Sequence, residues 1–202
     1  MKADFLAYWH SLWNDIPIWV YEAGLLVLLA GLVICSLTCG FRKGIRYGLG
    51  LLLIEYVLLI YCSTVFFRNT GELQYDFMPF WSYRDYFNGV SRGLLAENIM
   101  NVVVLVPVGL LAGATFRTMS WKKVMVFGMC LSVGIEALQF VFRKGFTEFD
   151  DVMHNALGCL IGYGMYKAIS ALATLDEEIS KGTPKKWKQP NAKNLRDYFC
   201  FV

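Results

Sequence analysis

The segment WKKVMVFGMCLSVGIEALQFVF, residues 121–142, is apolar almost throughout, yet it carries Glu136 and Gln139 well inside its length. At 1.5 Å per residue a helix of this length covers about 33 Å, close to the roughly 30 Å hydrocarbon layer of a bilayer. On either side lie four more blocks of similar length and character, at about 18–39, 47–67, 98–116 and 152–173. Across all 202 residues, 56% are hydrophobic and 17% charged, against roughly 25% charged in soluble domains. Disordered, collagenous and disulfide-scaffold classes are excluded. The expected fold is an all-α integral membrane protein, a bundle of five transmembrane helices.

Lys and Arg set the expected orientation. With the N-terminus outside, Arg42, Lys43, Arg46, Arg117, Lys122, Lys123 and the basic C-terminal residues face inward, thirteen in all, while six basic residues stay outside beside ten acids. The reading is therefore N-terminus outside, C-terminus cytoplasmic, in a multi-pass membrane protein. Phe5, Leu6, Trp9, Leu12 and Trp13 predict a short interfacial helix. The chain divides into an N-terminal interfacial segment, 1–17, a five-helix transmembrane domain, 18–173, and a basic cytoplasmic tail, 174–202. The net charge of +3 averages two unlike faces and points to lipid headgroups, not nucleic acid. The first block is not read as a cleavable signal, because its basic residues follow the apolar core. All six cysteines fall within blocks or in the tail, so no disulfide framework is expected and Cys35 and Cys39 read as packing thiols.

Polar side chains inside spanning helices are costly, and here they cluster. Glu136, Gln139, Phe140 and Arg143 share one face of the fourth block, with Glu136 about 10 Å below Arg143. Asp151, His154, Asn155, Gly158 and Gly162 form a stripe on the fifth, where small residues allow close helix approach. Asn98 and Asn101 open the third block, whose stripe continues through Leu105 to Gly109 and Ala112, with Pro107 expected to kink it. Arg68 ends the second block at the same level. These placements predict an outward-facing polar cavity in the outer leaflet, with Arg68, Arg143 and Lys144 at its rim. The alternative for the amides is plain interhelical hydrogen bonding. Glu136 is the residue most in need of a partner or a function. Glu55 is either a partner of this cluster or a satisfied structural acid. Asp150 reads as a helix cap and Asp151 as turned to the cavity; no metal site is assigned. His154 is as readily structural as catalytic, and His10 reads as interfacial.

The ordered set of Arg68, Phe77-Met78-Pro79-Phe80, Glu97-Asn98 with Asn101, Pro107-Val108-Gly109, Glu136 with Gln139, Asp150-Asp151 with Asn155, Gly158 and Ile161-Gly162-Tyr163 resembles the VanZ-like family. These are bacterial membrane proteins associated with reduced susceptibility to the glycopeptide antibiotic teicoplanin. The resemblance covers roughly residues 68–166. It departs at Glu148, where Asp is usual, and at Leu105, where Phe is frequent; the family's basic residue falls on Arg143 or Lys144. It implies a helical bundle acting at the cell envelope, with no settled catalytic chemistry and no cofactor.

Three functions compete. In the first, a binding protein holds or shields an amphiphilic ligand, the lipid-tailed drug or a lipid-linked cell-wall precursor, through Arg68, Asn98, Asn101, Glu136, Gln139, Arg143, Asp151 and Asn155. Membrane lipids are its other partners, and oligomeric state is left open. The second is an enzyme acting on a lipid or precursor headgroup, with Glu136 or Asp151 as general base and His154 as proton carrier; no GxSxG, HExxH or P-loop motif accompanies it. A transporter coupled through Glu55 and Glu136 has no visible inverted repeat behind it.

Overall fold

The computed structural model describes residues 2–90 and 93–180. Helix α1 (Lys2–Asn14) is followed by α2 (Ile18–Cys39) and α3 (Phe41–Tyr61), which tightens into a π-helical turn at Cys62–Phe66. A short strand β1 (Gln74–Asp76) and helix α4 (Trp81–Phe87) lead to α5 (Leu94–Thr115) and α6 (Trp121–Phe142). Strand β2 (Phe146–Glu148) runs directly into α7 (Phe149–Ser180). Among the described residues, five helices are long and apolar enough to cross a membrane: Ile18–Cys39, Lys43–Phe66, Leu94–Thr115, Trp121–Phe142 and Phe149–Asp176.

One feature corrects the expectation of helices alone, and another moves an expected boundary. β1 and β2 pair in parallel, Gln74 with Phe146, Tyr75 with Thr147 and Asp76 with Glu148. Their strands are three residues each, too short to leave a periodic signature. α7 also continues past Ala173 to Ser180, because Ala, Leu and Glu there favour helix even where the apolar run has ended. The remainder of the basic tail, with Cys200, lies outside the described residues. Pro107 lies within α5, which runs on as helix from Leu94 to Thr115.

α5, α6 and α7 form the core, which includes the fully buried Val108, Ala112, Val124 and Cys159. The α5–α7 seam is built from glycines. A Cβ on Gly109 would run into the Cys159 carbonyl, one on Gly158 into the Val102 carbonyl, and one on Gly162 into the Val106 carbonyl. In each case the obstacle is backbone, so these helices approach as closely as main chains allow. α3 packs on α5, and its Tyr56 hydroxyl donates to the Val104 carbonyl at 3.0 Å. α2 buries no residue and packs chiefly on α3. α1 crosses toward α5 and the π-helical turn, where Tyr21 Oη donates to the Trp13 carbonyl at 3.0 Å.

The π-helical turn has a local cause. Ser63 and Thr64 both donate their hydroxyls to the Ile60 carbonyl, at 2.9 and 2.8 Å. Such bonds compete with the regular ladder, and π turns commonly mark functional positions. Here the turn leaves the Thr64 carbonyl to accept from Gln139 Nε2 at 3.2 Å, tying α3 to α6.

Candidate functional site

At the end of the bundle where α5 and α7 begin and α6 finishes, the helices enclose a cavity of about 70 Å³. That is room for a few water molecules. Its charged and polar lining comprises Thr64, Arg68, Glu97, Asn101, Glu136, Gln139, Asp151 and Asn155; Leu12, Ile60, Met100, Val104, Leu105, Ile135 and Phe146 complete it. The helical spacing that puts Glu136 and Gln139 on one face of α6, and Asp151 and Asn155 on one face of α7, is what turns all four toward the same volume.

Hydrogen bonds hold Glu136, Asn101, Asp151, Asn155 and Gln139 in place, Asn101 and Asp151 to each other. Glu136 Oε2 accepts the backbone N–H of Glu148 at 3.0 Å. Asn101 Nδ2 donates to Asp151 Oδ1 at 2.6 Å, and Asn155 Nδ2 donates to Ser132 Oγ at 2.7 Å. Gln139 Nε2 is spent on the Thr64 carbonyl. The carbonyl oxygens of Gln139 and Asn155 are buried and without a hydrogen-bond partner. Two amide side chains therefore offer unused acceptors, and such groups are uncommon in buried sites unless something else meets them.

Of the residues singled out in the sequence, Arg68, Asn101, Glu136, Gln139, Asp151 and Asn155 meet at the cavity. Asn98 does not. It is buried one residue further round α5 and donates Nδ2 to Ser82 Oγ at 3.1 Å. Arg143 does not either: it occupies the left-handed position that ends α6, at φ 55°, and is exposed. Its carbonyl accepts from Gly71 N at 2.9 Å, so its backbone ties down the loop after α3. Lys144 instead donates Nζ to the Arg68 carbonyl at 2.6 Å, neutralising the carbonyl end of the preceding turn. His154 turns to α4, where Nε2 lies 2.8 Å from Tyr83 Oη, and it does not line the cavity. Glu55 lies outside the cavity as well, with a buried carboxyl oxygen unpaired.

Asp150 departs from the expected cap of its own helix. It is 1% exposed, and Oδ1 accepts Phe80 N at 2.6 Å while Oδ2 accepts Ser82 Oγ at 2.7 Å and Ser82 N at 3.4 Å. The carboxylate thus caps α4, seventy residues earlier in the chain, at a point where Phe80 takes a left-handed φ of 62°. Asn98 completes that network through Ser82.

Sequence reasoning left three contributors out of the site. Glu97 lines the cavity, although its place beside Asn98 in the motif was visible. Thr64 enters through the π-helical turn, which no periodicity announces. Glu148 sits above the cavity, accepting Trp81 Nε1 at 3.0 Å and donating its N–H to Glu136. Burial pushes its carboxyl up to about 8, helped by the nearby carboxylates of Glu97, Glu136 and Asp150 and opposed by the Trp81 bond. Among the described residues, no group of three or more His, Cys, Asp or Glu is disposed to hold a metal ion.

Residues 52–171 match the VanZ/LLP1 family, a range that contains every polar residue lining the cavity. The chain is 28% identical over 122 residues to Protein VanZ of Enterococcus faecium, spanning 58% of this chain and 76% of that protein. No solved structure matches it. The family range begins in α3 and closes in α7, so it takes in all of the cavity lining except Leu12 and excludes α1 and α2, and on that match the chain belongs to the VanZ/LLP1 family.

Proposed function

We propose that this chain is a multi-pass protein of the bacterial cell membrane that lowers susceptibility to teicoplanin-type lipoglycopeptides by binding an amphiphilic ligand. The ligand is the drug or a lipid-linked cell-wall component, and its polar group enters the cavity from the outer leaflet. Family membership and the similarity to Protein VanZ support the general role. The distribution of basic residues supports an orientation with the cavity end outside, and α1, with Trp9 and Trp13 in edge contact at 5.8 Å, suits the headgroup region.

One observation carries the reading: polar side chains from α5, α6 and α7, with Arg68 after α3, converge on one cavity while two buried amide oxygens remain unpartnered. As glue alone these residues would leave no acceptor over, yet beyond the Asn101–Asp151 and Gln139–Thr64 bonds two amide oxygens stay unmatched. The test compares teicoplanin susceptibility of cells producing wild type, Glu136→Gln or Asn155→Ala at equal protein level. Both variants are expected to lose most of the protection, and full protection in both overturns the reading. Glutamine at 136 can still accept the Glu148 N–H, so that variant separates charge from folding.

A further inference from the structure

We propose that the cavity is a receptor for a primary ammonium group carried by an amphiphile. The proposal rests on the ligand-binding role given above and names the chemistry of the ligand.

Charge comes first. Three carboxyl side chains, Glu97, Glu136 and Asp151, line the cavity against one guanidinium, Arg68. A phosphate or carboxylate entering it would meet one cation among three carboxyl groups, whereas an ammonium finds three groups that accept its N–H and whose ionised form its own charge favours. Arg68 is moreover laid across the backbone at Gly145, where a Cβ would stand only 2.5 Å from its Cζ; that residue is glycine, at φ +91°. The guanidinium thus forms the part of the cavity wall that lies against Gly145.

Hydrogen-bond polarity is the second and independent observation. Gln139 is 5% exposed. Its amide orientation is fixed, because Nε2 meets a main-chain carbonyl, which can only accept. The unpartnered atom is therefore an oxygen, an acceptor. Asn155, also 5% exposed and lining the same cavity, leaves its buried Oδ1 unpartnered. With Glu136, these supply acceptors to match the three N–H donors of an ammonium. No anion and no quaternary ammonium offers such donors.

Size and access agree. About 70 Å³ accommodates an ammonium with a few waters. Arg68 also lines a second, open pocket with Asp15, Asn69, Glu72 and Gln74, so this side chain borders both the cavity and the open surface.

The test uses the full chain in phosphatidylcholine nanodiscs at neutral pH, with ligand-dependent thermal stabilisation as readout. The probes are octylammonium, octyltrimethylammonium and octyl phosphate. Octylammonium is expected to stabilise saturably, with affinity lowered about tenfold in Glu136→Gln and in Asp151→Asn, the scale of one charge-assisted hydrogen bond. Both substitutions keep an acceptor for the Glu148 N–H and for Asn101 Nδ2. Arg68→Gln is expected to leave octylammonium binding equal or tighter, and octyltrimethylammonium to bind at least tenfold more weakly than octylammonium. Competition by phosphatidylethanolamine in the disc assigns the group to an aminolipid headgroup, and competition by an N-palmitoylated lysine amide assigns it to a peptide amine. Saturable binding of octyl phosphate lost in Arg68→Gln overturns the ammonium inference while leaving the cavity a ligand site. Equal octylammonium binding by wild type, Glu136→Gln and Asp151→Asn is bulk partitioning and also overturns it; the susceptibility test then decides the broader reading separately.

Discussion

Gly162 and Gly164 lie two residues apart on α7, and replacing each with alanine adds the same methyl group to the same helix. At Gly162 the methyl would collide with the Val106 carbonyl and stand 2.8 Å from Leu110 N on α5. Both obstacles are main chain, so no rotamer change relieves them and the two helices must separate. Overpacking of this kind costs about 1 to 3 kcal/mol, and the upper end applies where only backbone can move. Alanine returns up to about 1 kcal/mol of helix propensity, leaving Gly162→Ala destabilised by about 2 kcal/mol, which is more than tenfold in the folding constant. At Gly164 nothing lies within 4 Å, so only the propensity gain remains, up to about 1 kcal/mol. The two variants should therefore differ by about 3 kcal/mol in reversible unfolding from mixed micelles, followed by circular dichroism. Because α5 carries Asn101 and α7 carries Asp151, joined at 2.6 Å, separating the helices should also weaken teicoplanin protection in Gly162→Ala. A Gly162→Ala protein as stable as Gly164→Ala would refute the close backbone approach on which the α5–α7 seam is built.

Asp150→Ala removes the acceptor of three hydrogen bonds and leaves buried donors at residues 80 and 82; a loss of about 3 kcal/mol or more should appear first as faster proteolysis around 77–90. The pH dependence of stability should bear the mark of Glu148. Its carboxyl is raised from an ordinary value of 4.5 to about 8, so the folded state holds a proton that the unfolded state has released between those values. Stability is then full below about pH 4.5, falls by a few kcal/mol as pH rises toward 8 and levels off above it. Glu148→Gln can keep the Trp81 bond and should flatten that slope; an unchanged slope in melting temperature against pH assigns the effect to other groups.

The five spans were legible because the bilayer demands long apolar runs, and a run of that length has few other readings. The first and fourth spans, α2 and α6, begin and end at the residues where their apolar blocks do. The others extend further, since α5 starts four residues before Asn98 and α3 starts at Phe41, in sequence polar enough to end an apolar block but not a helix. The cavity was legible for a related reason. Helical spacing fixes which side chains share a face, and polar residues avoid lipid. That argument finds Glu136 with Gln139 and Asp151 with Asn155, but it cannot find Thr64, whose place depends on a π-helical turn made by two hydroxyls competing for one carbonyl.

The adjacent acids at the start of α7 mark where such reasoning stops. Consecutive helical positions are about 100° apart, so one of the pair can meet the cavity while the other must face elsewhere. Which faces where depends on what stands on the other side. α4 stands there, a seven-residue helix in a polar connection that carries no apolar stripe long enough to announce itself. Its N-terminal N–H groups and the Ser82 hydroxyl take Asp150, its Tyr83 takes His154, and Asn98 follows through Ser82. One unforeseen helix thus accounts for three displaced expectations: Asp150 caps a distant helix, His154 leaves the cavity, and Asn98 becomes structural. What remains facing inward is Asp151, with Asn155 a turn below it, and the acidic, acceptor-rich character of the cavity follows from that subtraction.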